Sequence, residues 1–153
     1  MIRKLHIIFD IDGTIADCDH RRHFVSDGNS DWDSFRDATV DDTPIQWVCD
    51  IAKNFHQSGH IVLFVSARNN VQRDITTQQI TDWIGISDPV LFMRPDGDNT
   101  PDDIFKAGVL AKIKECIGGN PDLVFDDRNR VVDMWRSAGI NTIQVVDRDQ
   151  GNF

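Results

Sequence analysis

Glutamate is almost missing from this chain. Of its 25 acidic residues 24 are Asp, and Glu115 stands alone. Asp is a poor helix-interior residue and a good cap, turn and metal ligand, so the imbalance points to chemistry carried on loops. Cysteine is scarce. Cys18, Cys49 and Cys116 are widely spaced and form no CxxC, which argues against a disulfide framework or a structural zinc site and for a reduced, cytoplasmic interior. No apolar run approaches 18 residues, so no membrane span is expected. The first apolar stretch ends at Asp10, too short for the core of a signal peptide. Positive charge is in deficit: 16 Lys and Arg against 25 acids give a formal net charge of −9. The far field of such a chain repels phosphate, which argues against tight non-specific binding to nucleic acid or to an anionic membrane but leaves room for a local basic site. Internal repeats, low-complexity tracts and Pro/Gly/Ser linkers are absent too. The 153 residues read as one domain, 1–153, large enough for one real core.

What is present is a regular alternation. Leu5-His6-Ile7-Ile8-Phe9, Ile61-Val62-Leu63-Phe64-Val65, Val90-Leu91-Phe92-Met93, Leu123-Val124-Phe125 and Ile143-Gln144-Val145-Val146 are short, nearly all-apolar runs of buried-strand type. Between them lie helical patterns. Thr43-Pro44 reads as an N-cap with proline at N1, followed by Ile45, Val48, Cys49, Ala52 and Phe55 at helical spacing. Val71–Ile84 carries Ile75, Ile80, Trp83 and Ile84. Thr100-Pro101 opens a helix to about Ile117, and Asn129–Ala138 forms the last. Residues 16–42 are polar, with six Asp from Asp17 to Asp37 and two more at Asp41 and Asp42, and predict an irregular insert with one or two short helices. The order implies an α/β, Rossmann-like parallel sheet of about five strands with helices on both faces and a minimal cap. Ligands bind such sheets at the carboxyl ends of the strands.

The chemistry-bearing residues fall at those ends. Asp10 and Asp12 follow the first strand, and Gly13 permits the sharp turn that aims both at one crevice. One carboxylate can act as nucleophile and the other as proton donor if their surroundings separate their pKa values. Ser66 and Arg68 follow the second strand, where a hydroxyl, backbone N–H groups and a guanidinium suit a phosphoryl dianion. Lys106, early in its helix, can neutralise both nucleophile and phosphoryl group, with Lys112 a competitor for that role. Asp126 and Asp127 follow the fourth strand and, with Asp10 and Asp12, make an oxygen-rich site for a hard cation such as Mg2+. An Asx turn capping the next helix is the plainer use of that pair, and one residue can serve both.

This set resembles the haloacid dehalogenase-like phosphohydrolases. Their Asp-x-Asp-Gly-Thr motif is matched by Asp10–Thr14, their Ser/Thr by Ser66, their Lys by Lys106, and their acidic pair by Asp126 and Asp127. The resemblance implies an aspartyl-phosphate on Asp10 and Asp12 as general acid and then base. It also implies Mg2+ held by Asp10, the Asp12 backbone carbonyl and Asp127, with Asp126 assisting. More narrowly, DIDGTIAD, VSAR, PDDIFK, DDRNRVVDMWRSAGI and a closing QVV…GNF resemble the 3′-phosphatase domain of phage polynucleotide kinase/phosphatase. That family implies phosphate handling by Arg21 and Arg68, a role for Asp102, and substrate contacts at Gly13, Thr14 and Ser66 to Arg68. Its Ser-Gly-Arg stands here as Ser-Ala-Arg, with Ala67. No GxxxxGK[ST] occurs, so no kinase half is expected in these residues. Trp135 is expected to pack the last helix against the sheet.

Neither the insert at 16–42 nor the stretch between Arg68 and Asp102 holds a full lid. An open site admits a bulky phosphorylated end. His20, Arg21, Arg22 and His23 form the one local basic cluster. The expected activity is Mg2+-dependent removal of a 3′-phosphate from DNA or RNA ends, with free nucleotides or another small phosphoester as the alternative substrate. A phosphoaspartate receiver uses similar groups but places its acidic pair after the first strand and its acceptor after the third, the wrong order for this chain.

Overall fold

The computed structural model describes residues 2–148. The Gly151-Asn152-Phe153 part of the family pattern lies outside the described residues. The apolar runs become strands because alternate residues can be buried on opposite faces of one sheet. Strand β1 (His6–Phe9) sits at its centre. With β4 (Ile61–Asn69), β5 (Val90–Arg94), β6 (Leu123–Arg128) and β7 (Thr142–Arg148) it makes a parallel sheet of order β5-β4-β1-β6-β7. Ile7 and Phe9 face one core with Phe64 and Phe125, while Ile8 faces the other with Leu63, Val65 and Val124.

The first core is covered by α2 (Gln46–Gln57) and α3 (Arg73–Ile84), the second by α4 (Asp102–Ile117) and α5 (Asn129–Ser137). Because β1→β4→β5 builds outward on one side and β6→β7 on the other, α4 carries the chain back across β1. The crevice at the β1/β6 carboxyl ends is therefore the switch point where ligands settle in sheets of this kind. Asp122 anchors the opposite end of those two strands: its carboxylate accepts the His6 backbone N–H at 2.8 Å and a bond from Arg3 at 2.7 Å.

Three starts differ from expectation. Thr43-Pro44 is not a helix N-terminus. It is strand β3, antiparallel to β2 (Ala16–Asp17), with Ala16 opposite Pro44 and Asp17 opposite Thr43, and α2 begins at Gln46. Proline tolerates a short outer strand because no ladder N–H is needed there, and the pairing that decides the matter is remote in sequence. Val71 lies in a 3-10 turn, Asn70–Gln72, and is exposed; α3 starts at Arg73. Likewise Pro101 occupies the N-cap of α4, one place earlier than a first-turn proline.

The β2–β3 ribbon closes the neck of the insert. Inside it run a 3-10 turn at Asp19–Phe24, helix α1 (Trp32–Asp37), capped by Asp31 through the Ser34 N–H at 3.1 Å, and a second 3-10 turn at Ala38–Asp41. No helix among the described residues is long and apolar enough to cross a membrane.

Candidate active site

Strand pairing continues into the site instead of stopping before it. The β4–β5 register shifts between Val65 and Asn69, and the β6–β7 register between Asp126 and Arg128. Ser66, Arg68 and Asp127 lie in those irregular stretches. Such bulges bend a strand and re-aim its side chains, so these residues turn toward Asp10, whose own N–H reaches the Phe125 carbonyl at 3.0 Å.

Asp10 is buried and held at both oxygens. Its Oδ1 accepts from Lys106 Nζ at 2.8 Å and its Oδ2 from Thr14 Oγ1 at 3.0 Å. Lys106, only 2% exposed, also donates to Asp126 Oδ2 at 2.8 Å. Burial opposes its charge, but Asp10 and Asp126 outweigh that and raise its pKa above the ordinary value. Lys112 is exposed and lies six residues further along α4, so the structure brings Lys106, not Lys112, to the carboxylates. Asp126 is fully engaged: its Oδ2 also accepts Trp135 Nε1 at 3.2 Å, and its Oδ1 accepts the Asp127 N–H at 2.9 Å. The i+2 bond of an Asx turn runs from the Arg128 N–H to the same oxygen at 3.4 Å, but the N-cap of α5 is Arg128 and no side chain caps it, so the pair does not serve as the expected helix cap. Trp135 is completely buried in the α4/α5 core, as its place in the sequence suggested, and it also fixes this carboxylate.

One carboxylate oxygen each from Asp10, Asp126 and Asp127 lie within 4.8 Å of one another. Burial, and then the Asp126 charge, push Asp10 well above the usual carboxylate range and Asp127 up to about 6, with Lys106 opposing both. Counted as carboxylates, the three acids exceed the Lys106 ammonium by two charges, a surplus that the Arg22 guanidinium, 3.9 Å from Asp127 Oδ2, offsets only from the rim. An all-oxygen donor set with that surplus fits one hard divalent cation. Gly13 makes room for the Asp127 carboxylate: at φ +82°, a Cβ there would sit 2.0 Å from Asp127 Oδ2. The Asp12 side chain stands outside this trio.

Asp12 belongs instead to a second cluster. Its Oδ1 accepts from Arg21 Nη2 at 2.8 Å and from Arg68 Nε and Nη2 at 2.9 and 2.7 Å. Burial raises its pKa, but the two guanidiniums prevail and hold it below the ordinary value. Asp42 closes the ring, accepting Arg21 Nε and Nη2 at 2.7 Å each, Arg68 Nη2 at 2.9 Å and His20 Nε2 at 2.8 Å. Arg68 Nη1 donates to Thr76 Oγ1 and Gln79 Oε1 at 2.9 and 2.7 Å. All five guanidinium N–H donors of Arg68 are thus engaged within the protein. Arg21 is completely buried, with Phe35 4.3 Å beneath its guanidinium. The arginines expected to meet phosphate are placed on Asp12. Two carboxylates and two guanidiniums make this cluster formally neutral.

Asp42, Thr76 and Gln79 were not anticipated as site residues. Asp42 is one aspartate in a run of eight, with nothing to distinguish it. Thr76 and Gln79 did carry a signal, for they share the buried face of α3 with Ile80 and Ile84, and polar groups on such a face need partners.

A cleft of about 430 Å³ opens over Asp10, Asp12, Ser66, Ala67, Arg68 and Lys106. Ser66 Oγ accepts the Arg68 N–H at 3.1 Å, and the Ala67 carbonyl accepts Arg94 Nε at 3.1 Å. Asp102 lies on the cleft wall, accepting from Arg94 Nη2 at 2.5 Å and from Arg128. The basic cluster does not form one face: Arg21 turns inward, Arg22 Nη2 comes within 3.9 Å of Asp127 Oδ2, and His20 and His23 are exposed. Trp32, Phe35 and Arg36 of α1, unmarked by any motif, also line the cleft.

Comparison with known proteins follows the same lines. The family model described as the polynucleotide kinase PNKP phosphatase domain matches residues 4–153. A relative from Autographa californica nuclear polyhedrosis virus, named as a bifunctional polynucleotide kinase/RNA ligase, is 31% identical over 149 residues. That match covers 96% of this chain and 20% of the relative, so the chain spans about one-fifth of that protein's length. The solved Pnkp1/Rnl/Hen1 RNA repair complex contains a chain superposing with a TM-score of 0.73 at 27% identity, covering 98% of this chain and 44% of that one. A phospho-aspartyl intermediate analogue of phosphoserine phosphatase shares the fold, with a TM-score of 0.57 at 19% identity over 94% of this chain and 87% of that one.

Proposed function

The chain belongs to the polynucleotide kinase PNKP phosphatase-domain family of haloacid dehalogenase-like phosphomonoesterases, and from that premise we propose that it removes the 3′-phosphate from a nucleic-acid end through an aspartyl-phosphate on Asp10. The observation that carries this reading is the division of the acids into two clusters. Asp10 shares a buried, cation-demanding pocket with Asp126, Asp127 and Lys106, while Asp12 reaches the same cleft from a separate, neutral arginine cluster. Two carboxylates in unlike surroundings suit two unlike roles.

A carboxylate oxygen of Asp10 attacks phosphorus, and the bond from phosphorus to the ribose O3′ breaks as Asp12 delivers a proton to that oxygen. Water then attacks the phosphoryl group, Asp12 takes its proton, and Asp10 and inorganic phosphate are released. The phosphoryl dianion arriving beside Asp12 opposes the two arginines and favours its protonated form for the first step; once the leaving group departs, the arginines favour the carboxylate for the second. Asp10, Asp126 and Asp127, with the backbone carbonyl of Asp12, would hold Mg2+, which supplies charge neutralisation at the nucleophile and phosphoryl oxygens. Lys106 favours the carboxylate form of Asp10 against burial and the neighbouring acids, and Thr14 fixes its rotamer.

The insert 16–42 serves as a small cap within a single domain: it supplies Arg21 and Asp42 to the interior and α1 to one wall of the cleft, without the bulk to close over it. A polymer end can therefore enter. Relatives named for RNA ligation and RNA repair favour an RNA end over DNA.

The test is phosphate release with Mg2+ from 3′-phosphorylated and 5′-phosphorylated oligonucleotides and from free 3′- and 5′-mononucleotides. The 3′-phosphorylated oligonucleotide is expected to give the highest kcat/KM, and Asp10→Asn, nearly isosteric, to abolish release while the fold persists. Preference for free 5′-mononucleotides, or activity retained by Asp10→Asn, would overturn the reading.

A further inference from the structure

Helix α1 presents an aromatic wall to the mouth of the cleft. Trp32 is 51% exposed and lines the cleft with Phe35 and Arg36. Its ring meets Phe35 edge-on, 5.8 Å between centroids, and Phe35 lies against the Arg21 guanidinium. The indole is therefore fixed, through Phe35, to the network that holds Asp12. Exposing much of a large apolar ring beside a catalytic cleft is unfavourable in water, and a mouth so lined suits a ligand with a flat apolar face. The charge at the mouth points the same way. In a chain of net charge −9, four arginines line this one cleft: Arg36 is paired with Asp33, Arg94 and Arg128 share Asp102, and Arg130, its side chain 57% exposed, stands 3.4 Å from Asp103. An aromatic platform interleaved with arginines is the surface that single-stranded nucleic acid prefers.

Building on the 3′-phosphatase reading, we propose that Trp32 stacks on the base of the terminal nucleotide while its 3′-phosphate lies at Asp10. The unit recognised is then a nucleotide, not a bare phosphoester. Stacking accepts every base, because each has a π face. It also favours an unpaired or frayed 3′ end, since the terminal base of an intact duplex is already stacked and paired.

The experiment measures kcat/KM for the full chain, Trp32→Ala and Trp32→Phe on two 3′-phosphorylated oligonucleotides, one ending in an ordinary nucleotide and one in an abasic ribose. In the full chain the ordinary end is expected to be preferred by roughly 5- to 150-fold, the range of one base–aromatic stack. Trp32→Ala should bring that ratio close to one, chiefly through KM on the base-bearing substrate, and Trp32→Phe should keep most of it. A ratio that survives Trp32→Ala, or equal losses on both substrates, would overturn stacking by Trp32. If the full chain releases phosphate from neither oligonucleotide yet acts on another phosphoester, the underlying 3′-phosphatase reading falls instead.

Discussion

Asp42→Asn should weaken both the fold and the chemical step, although Asp42 does not line the cleft. Each of its oxygens accepts two bonds: Oδ1 from Arg21 Nε and His20 Nε2, and Oδ2 from Arg21 Nη2 and Arg68 Nη2. Whichever way an asparagine is turned, one oxygen becomes an NH2 group facing two donors. Two buried guanidiniums are then balanced by Asp12 alone. Breaking a buried ion pair from one side costs about 3–5 kcal/mol, and for a chain of this length each kcal/mol moves Tm by about 2–4 °C. A fall of about 10 °C is expected in a thermal melt. The functional effect is separable. With Asp42 neutral, both arginines converge on Asp12, hold its proton affinity down and draw it from the cleft, so kcat should drop at least ~10-fold, about 1.4 kcal/mol. KM should change little. A melt within 1 °C of the parent would refute the energetic argument. A lowered melt with kcat intact would reduce the network to scaffolding and refute its action on Asp12.

Gly13→Ala forces a left-handed backbone, at about 1–2 kcal/mol, and drives a Cβ into Asp127 Oδ2; the Mg2+ concentration for half-maximal turnover should rise by ~10-fold or more, and an unchanged Mg2+ titration would refute the close fit. Lys106→Ala leaves three buried carboxylates without their ammonium and should lower kcat by about 10²–10³, whereas Lys112→Ala, on an exposed face, should stay within about twofold; the reverse pattern would reassign the lysine. Asp122 is held below its ordinary pKa by the His6 N–H and by Arg3. A depressed folded-state value stabilises at pH above the unfolded value and loses that contribution as pH falls through the folded one. Asp122→Asn should therefore cost about 1–2 kcal/mol near neutrality, a gap that narrows below about pH 4 in urea melts; a gap constant with pH would disprove the linkage.

How far the sequence could be read depended on whether a residue's partner is local. The strands were legible because Ile7-Ile8-Phe9 or Leu123-Val124-Phe125 cannot be buried any other way at that length. The DxDGT turn was legible because Gly13 constrains it within four residues. Thr43-Pro44 was misread because its cap signature is local and its strand partner, Ala16-Asp17, lies 26 residues away. Arg21 and Arg68 show the same limit in chemistry. A guanidinium after a strand suggests phosphate equally well whether its donors are open or already taken, and only the fold reveals Asp42, Thr76 and Gln79 taking them. Trp32 left no trace because an aromatic in a short polar helix has no periodicity to violate.

The surplus of aspartate finds its explanation in this division. Asp10, Asp126 and Asp127 exceed their one ammonium by the charge of a divalent cation. Asp12 and Asp42 are cancelled by two arginines, and Asp31 and Asp122 cap or anchor backbone N–H groups. Aspartate, not glutamate, suits all three uses, because its carboxylate sits one bond from Cβ and can be fixed by its own backbone turn, as Asp126 is by the Asp127 N–H. The positive charge nearest an incoming strand is therefore that of the cleft-mouth arginines, themselves ion-paired with Asp33, Asp102 and Asp103, more than that of the enclosed Arg21 and Arg68. The mouth arginines are few, and the surrounding surface is acidic, so affinity must come from the end itself: a phosphate the pocket neutralises and a base the wall can stack. Binding along the body of a duplex would gain little from this surface and would meet its repulsion.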